Sequence, residues 1–136
     1  MLQGLHHVSL KASGEAQFEG VLAFYTQVLN CPLVRTWGQG EDRGAMLDLG
    51  NTLLEVTANG APGQEKGLLR HIAFATDNVD DAVERAAQAG CPVLIAPVDK
   101  MLGEELPIRI AFCAGPAGEE IEFFQIRRLE GSEKCS

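Results

Sequence analysis

Two histidines and two glutamates stand at matching places in the two halves of the chain. Glu55 follows His7 by 55 − 7 = 48 residues, and Glu122 follows His71 by 122 − 71 = 51 residues. Each glutamate interrupts an apolar segment, where a buried carboxylate is costly unless a cation accompanies it. Two imidazoles and two carboxylates suit a divalent first-row metal and leave positions for water or substrate. We therefore predict that these four side chains form one metal site.

Both histidines lie in segments that alternate as strands do. Apolar residues follow each histidine at every second position, and the residues between them, such as Ser9 and Ala73, are small. Because side chains on a strand alternate between faces, His7 and His71 should point away from their apolar neighbours. His6 is a competing ligand, but the register favours His7, whose downstream neighbours match those of His71.

Each of these residues has a simpler interpretation when it is taken alone. A strand histidine is usually a hydrogen-bonded structural residue, and a strand glutamate usually lies on a solvated face. The repetition of the whole arrangement in two halves favours the metal site over both alternatives.

The match between the halves extends beyond the four candidate ligands. A helical pattern follows each histidine, and Cys-Pro with two aliphatic residues follows each helix, at 31–34 and 91–94. Each half closes with a glycine before the strand that carries its glutamate. Two copies of a β-α-β-β-β unit explain this order. We expect one domain over 1–136, with module one at about 4–58, a linker at 59–67 and module two at about 68–127.

Capping and turn residues set the limits of the expected elements. The first helix should begin near residues 13–15 and end at a left-handed Asn30. The second should be capped by Asp77 or Asn78 and end at Gly90. The tail at 128–136 should be frayed, and 99–107 should be a loop. Further strands are expected at 5–11, 33–37, 45–49, 52–57, 93–96, 108–113 and 120–126.

Composition restricts the possible partners and the compartment. The formal charge of 11 − 19 = −8 disfavours nucleic acid and anionic membranes, because there is no excess of Lys and Arg to neutralise phosphate. No apolar run approaches the roughly 20 residues that cross a bilayer. The four cysteines are scattered, so reduced thiols in a cytoplasmic protein are expected.

Four segments resemble the vicinal-oxygen-chelate superfamily, the group of glyoxalases, bleomycin-resistance proteins and extradiol dioxygenases. These segments are 5–10, 24–29, 70–74 and 118–123. The resemblance spans residues 5–125. It implies an α+β fold in which two tandem β-α-β-β-β modules form a curled mixed sheet around a metal cavity, and it implies a homodimer.

Within the superfamily, two histidines with two glutamates most resemble bacterial-type glyoxalase I. Ring-cleaving dioxygenases use two histidines and one carboxylate, and methylmalonyl-CoA epimerases usually have glutamine where this chain has Glu55. The resemblance implies a lyase/isomerase that converts a 2-oxoaldehyde–thiol hemithioacetal to a 2-hydroxyacyl thioester through a metal-bound enediolate. Glu122 would be the catalytic base with Glu55 as its partner, and the metal would be Ni, Co or Zn, with Fe or Mn as alternatives.

The resemblance also suggests residues that bind the small-molecule substrate. Asn59 matches the position of an asparagine that contacts glutathione. Lys11 stands where an arginine is expected, so the charge is kept and the bidentate fork is lost. Lys100 falls where the family places basic residues near the glutathione carboxylate. Two alternatives stay open: a metal-free binding or resistance protein of the same fold, and a metal-dependent epimerase or dioxygenase.

Overall fold

The computed structural model describes residues 1, 3–63, 70–102, 104 and 106–127. The chain divides into two compact units, Met1–Leu68 and Leu69–Ser136, here called module one and module two. Residues 64–67 of the predicted linker and the whole predicted tail at 128–136 lie outside the described residues. The single-domain boundaries therefore stay a prediction.

Module one is a four-stranded mixed sheet with one helix. Its strands take the order β1-β4-β3-β2, in which β1 and β4 are parallel and the other neighbours antiparallel. A π-helical turn, Phe24–Val28, extends the helix. The elements are β1 (His7–Lys11), α1 (Gly14–Ala23), β2 (Leu33–Trp37), β3 (Gly44–Asp48) and β4 (Leu53–Thr57).

Module two repeats the same topology. Its strand order is β5-β8-β7-β6, again with the first pair parallel and the others antiparallel. The elements are β5 (Ile72–Ala75), α2 (Val79–Gln88), β6 (Val93–Leu102), β7 (Leu106–Ala114) and β8 (Glu120–Ile126). The predicted α+β class and the duplicated β-α-β-β-β order are confirmed.

Local capping signals predicted the helix ends correctly. Ser13 is the N-cap of α1, and the Asn78 side chain accepts a hydrogen bond from the Asp81 N–H at the start of α2. Asn30 has a positive φ of 59° and Gly90 one of 96°, as expected where a chain leaves a helix. No helix among the described residues is long and apolar enough to cross a membrane.

The prediction of a loop at 99–107 was wrong. Strand β6 continues to Leu102, and β7 already begins at Leu106. The register between these strands shifts twice, between Val93 and Ile95 and again before Val98. Such irregularities break the two-residue alternation by which a strand is recognised from sequence.

One face of each sheet is covered by the helix of its own module, and apolar residues fill that layer. In module one this layer includes Phe18, Val21, Ala45, Leu47, Leu54 and Val56. In module two it includes Val79, Val83, Ala86, Ala111, Cys113, Ile121 and Phe123, whereas the buried Ile108 and Ile110 lie on the other face of the sheet. Because side chains alternate along a strand, this packing assigns the remaining positions to the opposite face. We call that opposite face the site face of each module.

An arginine ties helix α2 to its sheet. Arg109 Nε and one Nη donate to both carboxylate oxygens of Asp80, at 2.6 and 2.8 Å, and the other Nη donates to Asp99 at 2.9 Å. The Asp99 carboxylate also forms a salt bridge with Arg127, whose Nη1 lies 2.6 Å from Oδ2. Hydrogen bonds from Arg109 hold the pKa of Asp80 and that of Asp99 below the ordinary value of 3.8.

We expect Arg109→Met to remove part of the acid dependence of stability. Carboxylates with a lowered folded-state pKa stabilise the fold above their ordinary pKa, and that contribution is lost as the pH falls through the folded-state value. The stability difference between the wild type and this variant should therefore be largest at neutral pH and shrink below about pH 4. Urea unfolding at several pH values measures it, with Arg85→Met as a control of equal charge loss. A difference independent of pH would contradict the expectation.

Candidate functional site

The two candidate glutamates occupy the same register position in their modules. Ser9 lies opposite Glu55 on the neighbouring parallel strand, and Ala73 lies opposite Glu122. Ser9 and Ala73 each stand two residues after a histidine, so both histidine–glutamate pairs have the same relative placement. All four candidate ligands fall on the site faces, opposite the helices.

In module two the histidine and the glutamate are in contact. His71 Nε2 lies 3.3 Å from Glu122 Oε1. Glu122 is only 9% exposed, whereas the His71 side chain is 39% exposed. Phe112, which lies opposite Glu122 on β7, meets the imidazole edge-to-face at a centroid distance of 5.2 Å. The imidazole of His71 thus contacts both a nearly buried carboxylate and an aromatic ring.

In module one the equivalent residues have different neighbours. Ser9 Oγ donates a hydrogen bond of 3.1 Å to Glu55 Oε1. His7 Nδ1 lies 2.9 Å from His6 Nδ1, and the two rings meet edge-to-face. Since Ala73 has no hydroxyl, a bond like that of Ser9 cannot form in module two. His6, the competing candidate ligand, is thus in contact with His7, the favoured one.

The donor set fits a divalent cation, because each pair offers an imidazole nitrogen and carboxylate oxygens on one sheet face. Glu122 supports this fit most directly, since a nearly buried carboxylate is costly unless a cation accompanies it. Among the described residues no group of three or more His, Cys, Asp or Glu side chains is gathered to hold an ion. Each module has one histidine and one glutamate on its own site face, and the four-ligand centre stays a prediction.

Two of the three predicted substrate-binding residues lie together. Lys11 Nζ donates to Asn59 Oδ1 at 3.2 Å, and Thr57 Oγ1 donates to the same oxygen at 2.9 Å. Lys11 lies two residues beyond Ser9 on β1, which places its backbone about 7 Å along the strand from the level of Glu55. The cation and the carboxylate therefore share one face.

Lys100 lies apart from this group in the fold of its own module. It stands on strand β6 opposite Ile108, which in turn lies opposite Ile126 at the end of β8. Two strand spacings and four residues along the strand separate it from Glu122, roughly 15 Å between backbones. Its assignment as a substrate-binding residue stays a prediction.

The described cysteines are free thiols with raised pKa values. They are Cys31, Cys91 and Cys113. Burial raises the pKa of each thiol, and that of Cys113 rises to about 12. Because the thiolate is the reactive form, these shifts disfavour a nucleophilic role for the three side chains.

Sequence reasoning missed Trp37, which lies on the site face of module one. A Cβ atom added to Gly44 would come within 2.2 Å of the Trp37 ring, so the indole occupies the space above that glycine. Trp37 and Gly44 lie opposite each other on β2 and β3. A glycine inside a strand is a known sign of close approach, and it was the available signal.

Solved structures share the fold at low sequence identity. A glyoxalase/bleomycin resistance protein/dioxygenase from Alicyclobacillus acidocaldarius is 18% identical, with a TM-score of 0.68 and 93% of each chain covered. TioX from Micromonospora sp. ML1 is 19% identical, with a TM-score of 0.67 over 90% of this chain and 98% of that one. A glyoxalase I variant from Zea mays is 23% identical, with a TM-score of 0.68 over 91% of this chain and 44% of the maize chain.

A family model covers most of the sequence. No curated protein matches the chain. Residues 4–123, however, match the model described as Glyoxalase/Bleomycin resistance protein/Dioxygenase superfamily, and this range contains all four candidate ligands. The chain therefore belongs to the glyoxalase/bleomycin resistance protein/dioxygenase superfamily.

Proposed function

We propose that this protein is a metal-dependent lyase/isomerase of the glyoxalase I type. It would convert a 2-oxoaldehyde–thiol hemithioacetal to a 2-hydroxyacyl thioester. The observation that carries the proposal is the nearly buried Glu122 carboxylate, 3.3 Å from His71 on the site face. The matching register of His7 and Glu55 adds a second pair of the same chemistry.

The proposed reaction moves one proton from the hemithioacetal carbon to the adjacent carbon and a second from the hemithioacetal hydroxyl to the neighbouring carbonyl oxygen, so it needs no oxidant or reductant. Glu122 would take the proton from the first carbon and return it to the second, as a general base and then a general acid. His71, whose Nε2 lies 3.3 Å from the Glu122 carboxylate, would hold the cation next to it, and Ser9 would orient the carboxylate of Glu55. Shielding of Glu122 from water would limit the loss of the proton to solvent.

The four candidate ligands, His7, Glu55, His71 and Glu122, would hold Ni, Co or Zn, or else Fe or Mn. The bound cation would act as a Lewis acid that stabilises negative charge on the substrate oxygens. The mixed nitrogen and oxygen donor set supports this class of metal without choosing among its members.

Lys11 and Asn59 would bind the anionic part of the thiol. Their mutual hydrogen bond and their position beside the level of Glu55 support this role. Lys100 has weaker support because it lies on the edge strand, well away from Glu122. A homodimer, a cytoplasmic location and the absence of nucleic-acid or membrane partners complete the proposal.

A metal-free binding protein of the same superfamily is the second candidate. The partly exposed indole of Trp37 favours it, because an aromatic surface on the same sheet face as Lys11 can hold a small molecule without any chemistry. This version does not require the carboxylates of Glu55 and Glu122, whereas the isomerase does.

Metal titration combined with an activity assay tests the proposal. Protein treated with a chelator is titrated with Ni²⁺, Co²⁺ or Zn²⁺ by calorimetry, and the thioester formed from methylglyoxal and glutathione is followed by its absorbance. We expect one ion per chain and turnover that returns with the ion. Failure of all three ions to bind would favour the binding protein. Binding of metal without turnover on any 2-oxoaldehyde–thiol adduct would overturn the isomerase.

A further inference from the structure

We propose that Trp37, Gly44, Thr57 and Lys11 form a subsite that selects substrates carrying a planar aromatic group together with a carboxylate. We call this set the Trp37 row. Its place beside the reacting centre rests on the proposed function, whereas its ability to bind such a molecule does not. In the isomerase, the thiol of the adduct would supply the anionic group for Lys11 and the aldehyde would supply the planar group for Trp37, so the subsite would favour aryl 2-oxoaldehydes over methylglyoxal.

The Trp37 row runs across all four strands of module one. Trp37 lies opposite Gly44, Gly44 opposite Thr57, and Thr57 opposite Lys11. Residues opposite each other on neighbouring strands point to the same face and lie about 4.8 Å apart between strands. Because the indole lies over Gly44, two strand spacings, roughly 10 Å, separate it from the Lys11 backbone. The Lys11 ammonium shares Asn59 Oδ1 with the Thr57 hydroxyl on the strand next to Gly44, which brings the charge nearer to the ring.

The indole is held against the sheet because position 44 has no side chain. The space for a Cβ atom at Gly44 is taken by indole atoms at 2.2 and 2.6 Å. The turn after Trp37 is also tight, since Gly38 has a φ of 75° and a Cβ there would strike the Asp42 carbonyl oxygen. Trp37 nevertheless remains 39% exposed. A positioned ring that is still open to solvent is a stacking surface for a planar group.

The other end of the row carries a fixed positive charge. Lys11 Nζ donates to Asn59 Oδ1, which the Thr57 hydroxyl also holds. An ammonium group has three donors, and the bond to Asn59 uses one of them, so further donors are available to a ligand. In a chain with a net charge of −8, a cation on the same sheet face as an exposed aromatic ring favours a small anion as the occupant.

The neighbouring row brings the proposed chemistry next to this subsite. Ser9 lies opposite Glu55, Glu55 opposite Met46, and Met46 opposite Arg35. These residues precede or follow members of the Trp37 row by two positions, so the two rows lie about 7 Å apart on one face. Arg35 adds a second exposed cation beside Trp37.

Tryptophan fluorescence reports directly on this position, because Trp37 is the only tryptophan in the chain. Metal-free protein is titrated with benzoate, with cyclohexanecarboxylate and with benzyl alcohol. We expect saturable changes in emission, with benzoate binding about three- to tenfold more tightly than the saturated acid, as stacking predicts. Benzyl alcohol, which lacks the charge, should bind more weakly than benzoate.

Gly44→Ala tests the geometry while keeping the fluorophore. The new methyl group would displace the indole, so benzoate affinity should fall at least about threefold. Gly20→Ala is the matched control, because nothing lies within 4 Å of a Cβ built there, and it should bind as the wild type does. If Gly44→Ala does not fold, Trp37→Leu measured by calorimetry gives the same comparison. Lys11→Met should abolish the preference for benzoate over benzyl alcohol.

Three results would overturn the subsite. They are equal binding of benzoate and cyclohexanecarboxylate, unchanged benzoate affinity in Gly44→Ala, and emission that responds to protein concentration but not to probe. The last would assign Trp37 to a contact between copies of the chain. Failure of the subsite would leave turnover of methylglyoxal adducts intact, whereas failure of the isomerase would leave the fluorescence titration intact. The two proposals can thus fail independently.

Discussion

Turnover of a 2-oxoaldehyde–thiol hemithioacetal is expected to fall roughly 10²- to 10⁴-fold when Glu122 is replaced by glutamine. The amide keeps the size of the side chain, but it cannot take a proton from carbon. The carboxylate is nearly buried, so water cannot readily replace it as the base. The measurement is kcat at saturating metal and substrate.

Metal binding must be measured alongside turnover, since Glu122 is also a proposed ligand. If Glu122 is the base, kcat at saturating metal should stay low even where the variant is fully loaded. Glu84→Gln, the same change on the exposed surface of α2, is the control and should leave both quantities unchanged. Full activity of the metal-loaded Glu122→Gln protein would show that Glu122 is not the catalytic base and would leave Glu55 as the candidate.

Leu54→Ala is expected to destabilise the protein by about 2–5 kcal/mol, and Leu53→Ala by less than about 1 kcal/mol. The two residues are neighbours on β4, yet Leu54 is fully buried under α1, whereas Leu53 is partly exposed on the site face beside His7. Removing three methyl-sized groups from a packed core leaves a cavity. Urea unfolding with a constant m value gives both free energies of unfolding.

This pair of variants also tests the placement of Glu55. The strand alternates, so a buried Leu54 requires Leu53 and Glu55 to share the opposite face. A larger loss for Leu53→Ala than for Leu54→Ala would reverse the faces of β4. Glu55 would then point into the core below α1, and it could not join a metal site with His7.

Short-range signals in the sequence were sufficient for the helix ends and for the repeat. Ser13, Asn30, Asn78 and Gly90 act through hydrogen bonds and backbone conformations within a few residues, so local sequence contains the necessary information. The equal register of Ser9–Glu55 and Ala73–Glu122 followed from comparing two copies of one unit.

Register irregularities and contacts between strands could not be predicted from short-range sequence signals. The length of β6 was underestimated because its pairing with β7 shifts twice, and such shifts depend on the partner strand rather than on the local pattern. The contact of His7 with His6, in place of the glutamate contact that His71 makes, likewise depends on side-chain packing in three dimensions.

The sequence by itself determined the fold class, the duplicated order of elements and the faces on which the candidate ligands lie, because hydrophobic period and caps are local properties. Only the tertiary structure decided that Glu122 is nearly buried beside His71, that Lys11 meets Asn59, and that Trp37 covers Gly44. These contacts join residues on different strands, and their distances are set by strand pairing and packing rather than by separation along the chain.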